Sequence, residues 1–144
     1  MWIGNAIAFG ASSGARGSGF IGLLDEYSGA AAAYSLRQLS STSTNAIRVR
    51  RASDNAESDI GFVDNELDTT SLASFCSGTN GFVTTWYDQS GNGNDAEQTT
   101  AANQPKIYDS VSGVIEENGK PAVEFDGSDD TIGYTEINPT FTFS

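Results

Sequence analysis

The chain has no histidine, one cysteine, one methionine, three prolines and no long apolar run among its 144 residues. Without histidine there is no imidazole general base and no imidazole metal ligand, which excludes histidine-based catalysis and histidine-held zinc or copper. A lone Cys76 cannot close an intrachain disulfide, so the fold must rest on packing. No stretch approaches the roughly 20 apolar residues that span a bilayer. Positive charge is also scarce: seven basic residues face 19 acids, for a net charge of −12. Such a field repels phosphate backbones and anionic headgroups, so neither nucleic acid nor a membrane surface is an expected partner. What is plentiful is glycine, serine, asparagine and aspartate, the residues of turns.

The length suits one domain. Residues 1–22 nonetheless differ in composition, with six glycines, one arginine and no acid. Their apolar side chains come singly, at neither helical nor strand spacing. They lack the basic start and continuous apolar core of a signal peptide, so the segment is expected to stay on the protein. Two readings stand side by side. One is a loose terminus. The other is an attachment arm that orders on a partner, anchored by Trp2, Ile3, Ile7, Phe9, Phe20 and Ile21.

Residues 23–144 read as the folded unit. Helix formers from Ala30 to Leu39 predict a short helix. NAIRVRR alternates, with Ile47 and Val49 on one face and Arg48 and Arg50 on the other, which is the pattern of a half-buried strand. SDIGFV is a second strand. DTTSLASF is a helix capped by Asp68, with Leu72 and Phe75 inward. GFVTTWYD carries bulky groups on both faces and predicts a central strand, with Phe82, Thr84 and Trp86 on one side and Val83, Thr85 and Tyr87 on the other. Shorter strands are expected in PKIYD, SGVIEE, PAVEFDG and TIGYTEI. Many short strands between such turns favour a β-sandwich.

The turn WYDQSGNGNDAEQ, residues 86–98, carries the richest chemistry. From Asp88, oxygen-bearing residues fall at loop positions one, three and five (Asp88, Ser90, Asn92) with Gly93 at six, a partial copy of a calcium loop. Position twelve is Thr99 rather than a bidentate glutamate, so the copy is short of charge and ligands. DGSDD offers Asp126, Ser128 and Asp130 in a similar alternation. The structural reading is simpler: Gly91 and Gly93 supply positive φ and Asp88 binds turn amides, so no cofactor is expected and calcium is the alternative. A glycan site would use an aromatic platform with amide and carboxylate partners, for which Trp86, Tyr87, Asp88 and Asn92 are the candidates.

WYDQSGNGNDA followed by QPKI and NGKPAVEFDGSDD resembles the succession in laminin G-like and concanavalin-like jelly-roll domains. The stretch before it, from AAAAYSLRQLS through SFCSGTNGFVTTWYDQSGNGNDA, is similar to the opening half of the α-L-arabinofuranosidase B catalytic domain. Together they cover roughly residues 30–134. The resemblance implies a jelly-roll-type β-sandwich, mainly β, one or two short helices, cut short on its C-terminal side. Cys76 matches a family cysteine, while the partner expected a few residues later is missing from SGTNGF. The family's catalytic carboxylates fall beyond the matched segment, so catalysis by this chain alone is not expected. Similar modules occur in phage tail-fibre proteins behind glycine-rich starts. That setting implies a virion or extracellular location, docking of residues 1–22 to a tail or baseplate protein, a homo-oligomer such as a trimer, and a host glycan as a further ligand. An arabinofuranosidase-like hydrolase and a carbohydrate-binding module are the alternatives.

Overall fold

The structure is a computed structural model and describes residues 19–134. A single helical turn, α1 (Leu23–Glu26), leads into an irregular segment. The sheet begins with β1 (Asn45–Arg51), β2 (Glu57–Val63) and β3 (Glu66–Leu67), which are followed by helix α2 (Thr69–Phe75). Then come β4 (Gly81–Trp86), β5 (Ala96–Glu97), a 3-10 turn at Ala101–Asn103, β6 (Lys106–Asp109) and β7 (Gly113–Val114). A separate hairpin of β8 (Glu116–Glu117) and β9 (Lys120–Pro121) follows, and residues 122–134 run on past it without a further strand. The seven-stranded antiparallel sheet runs β3-β2-β1-β4-β6-β7, with β5 also on β4. The protein is therefore mainly β, an incomplete β-sandwich with few short helices, as its sequence pattern implies.

The alternation in β1 places Ile47 and Val49 in a core with Ile60, Val83, Leu72, Cys76 and Ile107, all essentially inaccessible. Helix α2 covers this face because its start is fixed: the Asp68 carboxylate accepts from the Ser71 amide at 2.9 Å and the Ser71 hydroxyl at 2.6 Å. Leu72 and Cys76 then point inward and Phe75 is half-buried. The turn between β2 and β3 holds Asp64 and Asn65 at φ 50° and 69°, the backbone of a two-residue hairpin whose twist matches its strands.

Three expectations change. No helix forms over residues 30–39; the segment is an irregular strap whose backbone groups are bound from outside, as described below. The faces of β4 also differ. Trp86 pairs with Ile47, Thr85 with Arg48, Val83 with Val49 and Phe82 with Arg50, so Thr84 is one extra residue in the ladder. That bulge moves Trp86 onto the core face with Val83, and leaves Phe82 and Thr85 on the arginine face. The late strands are shorter than expected. SGVIEE splits into β7 and β8, PAVEFDG keeps Pro121 in β9 and a bridge between Glu124 and Lys106, and TIGYTEI keeps one between Gly133 and Glu97. Among the described residues no helix is long and apolar enough to cross a membrane.

Candidate functional site

β4 runs out at Trp86 into the polar loop 87–95, and this loop fastens the strap. The Asp88 carboxylate accepts four hydrogen bonds: Ala33 amide at 2.8 Å, Ser90 amide at 2.8 Å, Ser90 hydroxyl at 2.7 Å and Asn94 amide at 3.0 Å. The Asn92 side-chain amide donates to the Ala30 and Ala31 carbonyls at 2.8 and 3.2 Å, and Asn94 donates to Ala31 at 2.7 Å. Gln89, buried to 3% exposure, donates to the Ser35 and Arg37 carbonyls and accepts from the Leu39 amide. The Tyr34 hydroxyl donates to the Asn94 carbonyl. These bonds take up the groups that a helix over 30–39 would have paired internally, and tertiary bonding therefore overrides propensity. Gly91 and Gly93 adopt φ of 89° and 74°, as the turn requires.

Burial, the largest single influence, pushes the Asp88 carboxyl up. The Ser90 hydroxyl and the Ser90, Ala33 and Asn94 amides together outweigh it and hold the group below the ordinary carboxylate range. Beside this loop lies a polar cleft walled by Thr42, Thr44, Asn45, Tyr87 and Asp95.

The arginine face of the sheet carries a second cluster. Arg48 meets Asp59 in a two-pronged ion pair at 2.7 and 3.1 Å, and the Tyr87 hydroxyl donates to Asp59 at 2.7 Å. Next to it Arg50 stacks 5.1 Å over Phe82 and donates to Gln104 at 2.7 Å. The Arg48 hydrogen bond draws the Asp59 pKa down, and burial followed by the Asp59 bond pushes Tyr87 up to about 12.

The sugar-platform candidates do not share a surface. Trp86 lies on the core face and lines a groove with Leu36, Arg37, Lys120, Pro121 and Val123, its indole nitrogen buried and without a partner among the described residues. Tyr87 reaches Asp59 on the opposite face. Of the metal candidates, Asp88, Ser90 and Asn92 are joined in the loop, with Asn92 donating to Ser90 Oγ at 3.1 Å. Asp126 and Asp130 sit apart with Asp129, their carboxylate oxygens within 4.8 Å of one another, the one such acidic trio among the described residues. There Asp126 accepts from the Ser128 amide at 2.8 Å, a turn in its own right. In the attachment segment, Trp2, Ile3, Ile7 and Phe9 lie outside the described residues, Phe20 is half-buried and Ile21 is 69% exposed.

Sequence reasoning missed Gln89, Asn94 and the Arg48–Asp59–Tyr87 cluster. Only the Asp-x-Ser spacing at 88–90 announces a local side-chain turn. Among the described residues, every carboxyl group whose pKa is displaced is displaced downward: Asp25, Asp54, Asp59, Asp68, Asp88, Asp109 and Asp126. The causes are turn amides, caps and arginine partners. The acid of a glycosidase needs the opposite displacement.

No curated protein matches the chain. Among solved structures it is similar to an arabinofuranosidase complexed with arabinofuranosyl-α-1,2-xylobiose, at 35% identity over 46% of this chain and 15% of that one, TM-score 0.44. It is also similar to a GH54 α-L-arabinofuranosidase soaked with a cyclic sulfate inhibitor, at 30% identity over 53% and 19%, TM-score 0.47. The aligned part thus spans 15% and 19% of the length of those chains. A family model described as the catalytic part of α-L-arabinofuranosidase B matches residues 26–128. That match takes in well over half of the sequence, and on it the chain belongs to the α-L-arabinofuranosidase B catalytic-domain family.

Proposed function

We propose that this chain is the amino-terminal scaffold of an arabinofuranosidase-type glycoside hydrolase domain, contributing sheet and loop rather than the acid and base. The family match over residues 26–128 carries this reading. The seven described aspartates whose carboxyl groups are displaced, all of them downward, support its second half, because hydrolysis of a glycoside needs a carboxyl group that stays protonated near neutral pH beside one that is ionised.

The attachment reading, a phage tail-fibre domain with residues 1–22 docked on the virion, rests on the composition of that segment alone. The family match favours the arabinofuranosidase-type alternative over it.

The test is hydrolysis of an aryl α-L-arabinofuranoside by the purified chain across the pH range. No release of the aryl alcohol is expected. Release that disappears when a single Asp or Glu is replaced by its amide overturns the scaffold reading.

A further inference from the structure

Three Asn-Gly steps occur in the sequence, at Asn80, Asn92 and Asn118, with one Asp-Gly step at Asp126. Each places an unhindered peptide nitrogen next to a side-chain carbonyl carbon. The deprotonated glycine nitrogen can attack that carbon. At asparagine, a C–N bond forms in the resulting succinimide, the bond from Cγ to Nδ2 breaks, and ammonia leaves. Water then opens the ring at either carbonyl, giving aspartate or isoaspartate with one added negative charge. No other reactant is needed. In the unfolded chain the three asparagines are equivalent at the reacting step, so any selectivity must come from the fold.

The fold treats them differently. Asn80 is held from both ends: its side-chain oxygen accepts from the Ser110 amide at 2.8 Å and its backbone carbonyl from the Ala52 amide at 2.9 Å. Gly81 after it is buried within β4, where even a Cβ would lie 2.5 Å from Cys76 Sγ. Asn92 has its leaving nitrogen tied to Ala30, Ala31 and Ser90. Asp126 is an ionised carboxylate occupied by the Ser128 amide, a poor electrophile. Asn118 has none of these restraints. It is exposed at the tip of the β8–β9 hairpin, and its amide makes one long contact among the described residues, 3.4 Å to Glu117. Gly119 donates to no described backbone carbonyl, and the space beside its Cα is open.

We infer that Asn118–Gly119 is a spontaneous modification site, the first of the four steps to pass through succinimide in the folded protein. Its consequence is local and structural. Isoaspartate adds a methylene to the main chain of a two-residue turn, which the pairings Glu117–Lys120 and Glu116–Pro121 cannot absorb in register. That hairpin supplies Lys120 and Pro121 to the wall of the groove beside Trp86 and ties to β3 through Lys120 and Glu66 at 3.5 Å. Ageing at Asn118 therefore loosens that wall.

The experiment is peptide mapping by mass spectrometry of the whole chain held at mildly alkaline pH, folded and in denaturant. Isoaspartate is read independently with an isoaspartyl-specific methyltransferase and a labelled methyl donor. In the folded sample the Asn118 peptide should gain about 1 Da first, with isoaspartate as a product. It should outpace the Asn92 and Asn80 peptides by about tenfold or more, the factor that one retained hydrogen bond of roughly 1.4 kcal/mol imposes on a rate. In denaturant the three rates should converge. Equal rates in the folded protein, a lead for Asn92 or Asn80, no change at Asn118, or the same order in denaturant would each overturn the inference.

Discussion

Replacing Asp88 tests the joint between loop and strap most directly. Its carboxylate accepts from three backbone amides and one hydroxyl, and the bond to Ala33 bridges segments 55 residues apart. A hydrogen bond to a charged acceptor contributes about 1.5–3 kcal/mol when buried. Here the group is only partly buried, so water can re-pair the Ser90 and Asn94 amides at the rim, while the Ala33 bond has no ready substitute. Asp88→Ala should therefore cost about 2–4 kcal/mol. Asp88→Asn keeps one acceptor oxygen but turns an N–H donor toward the Asn94 amide, and should cost about 1–2 kcal/mol.

The pH dependence has a defined sign. The folded carboxyl titrates below its ordinary value of 3.8, so its contribution is complete above that value and is lost as pH falls through the folded pKa. Urea unfolding at neutral and acidic pH, with hydrogen exchange at the Ala33 amide, measures both effects. Asp88→Asn should flatten the acid limb and speed Ala33 exchange. Unfolding of Asp88→Ala within about 0.5 kcal/mol of the parent, the range of an ordinary surface change, would refute the reasoning.

Gly81→Ala places a Cβ 2.5 Å from Cys76 Sγ and 3.1 Å from Tyr108 Cβ, and should destabilise by about 1–3 kcal/mol in chemical denaturation. Cys76→Ala in the same chain should return part of that loss, and strictly additive losses would contradict the clash. Tyr87, pushed up to about 12, should ionise late in an absorbance titration, and Asp59→Asn should bring it down. Because the folded value lies above the ordinary 10.0, Tyr87 supports the fold fully below that pH and loses the effect as pH rises through about 12. Calcium or a chelator should leave the thermal midpoint unchanged, since backbone amides already occupy an oxygen of Asp126. A calcium-dependent rise abolished by Asp126→Ala would instead establish the Asp126–Asp130 turn as a metal site.

Local chemistry made several features legible in the sequence. Alternation in NAIRVRR set which β1 residues enter the core, because strand side chains point to opposite faces in turn. Asp68 before an apolar-spaced run set the start of α2, since its oxygens reach the first free amides of the helix. Glycine and asparagine punctuation marked the turns. Other features needed the folded chain. Alternation alone put Trp86 with Phe82, but the extra residue Thr84 in the β1–β4 ladder reversed its face, and a bulge depends on the partner strand as well as on the residues within β4. Alanine-rich residues 30–39 have helical propensity, yet Asp88, Gln89, Asn92 and Asn94 bind their backbone from more than 50 residues away. Propensity is a preference of a fraction of a kcal/mol per residue, and several tertiary hydrogen bonds of about 1 kcal/mol each exceed it. The sequence thus determined the long strands β1, β2 and β4, the cap and the polar character of the loop, while the tertiary structure decided the short late strands and what that loop holds.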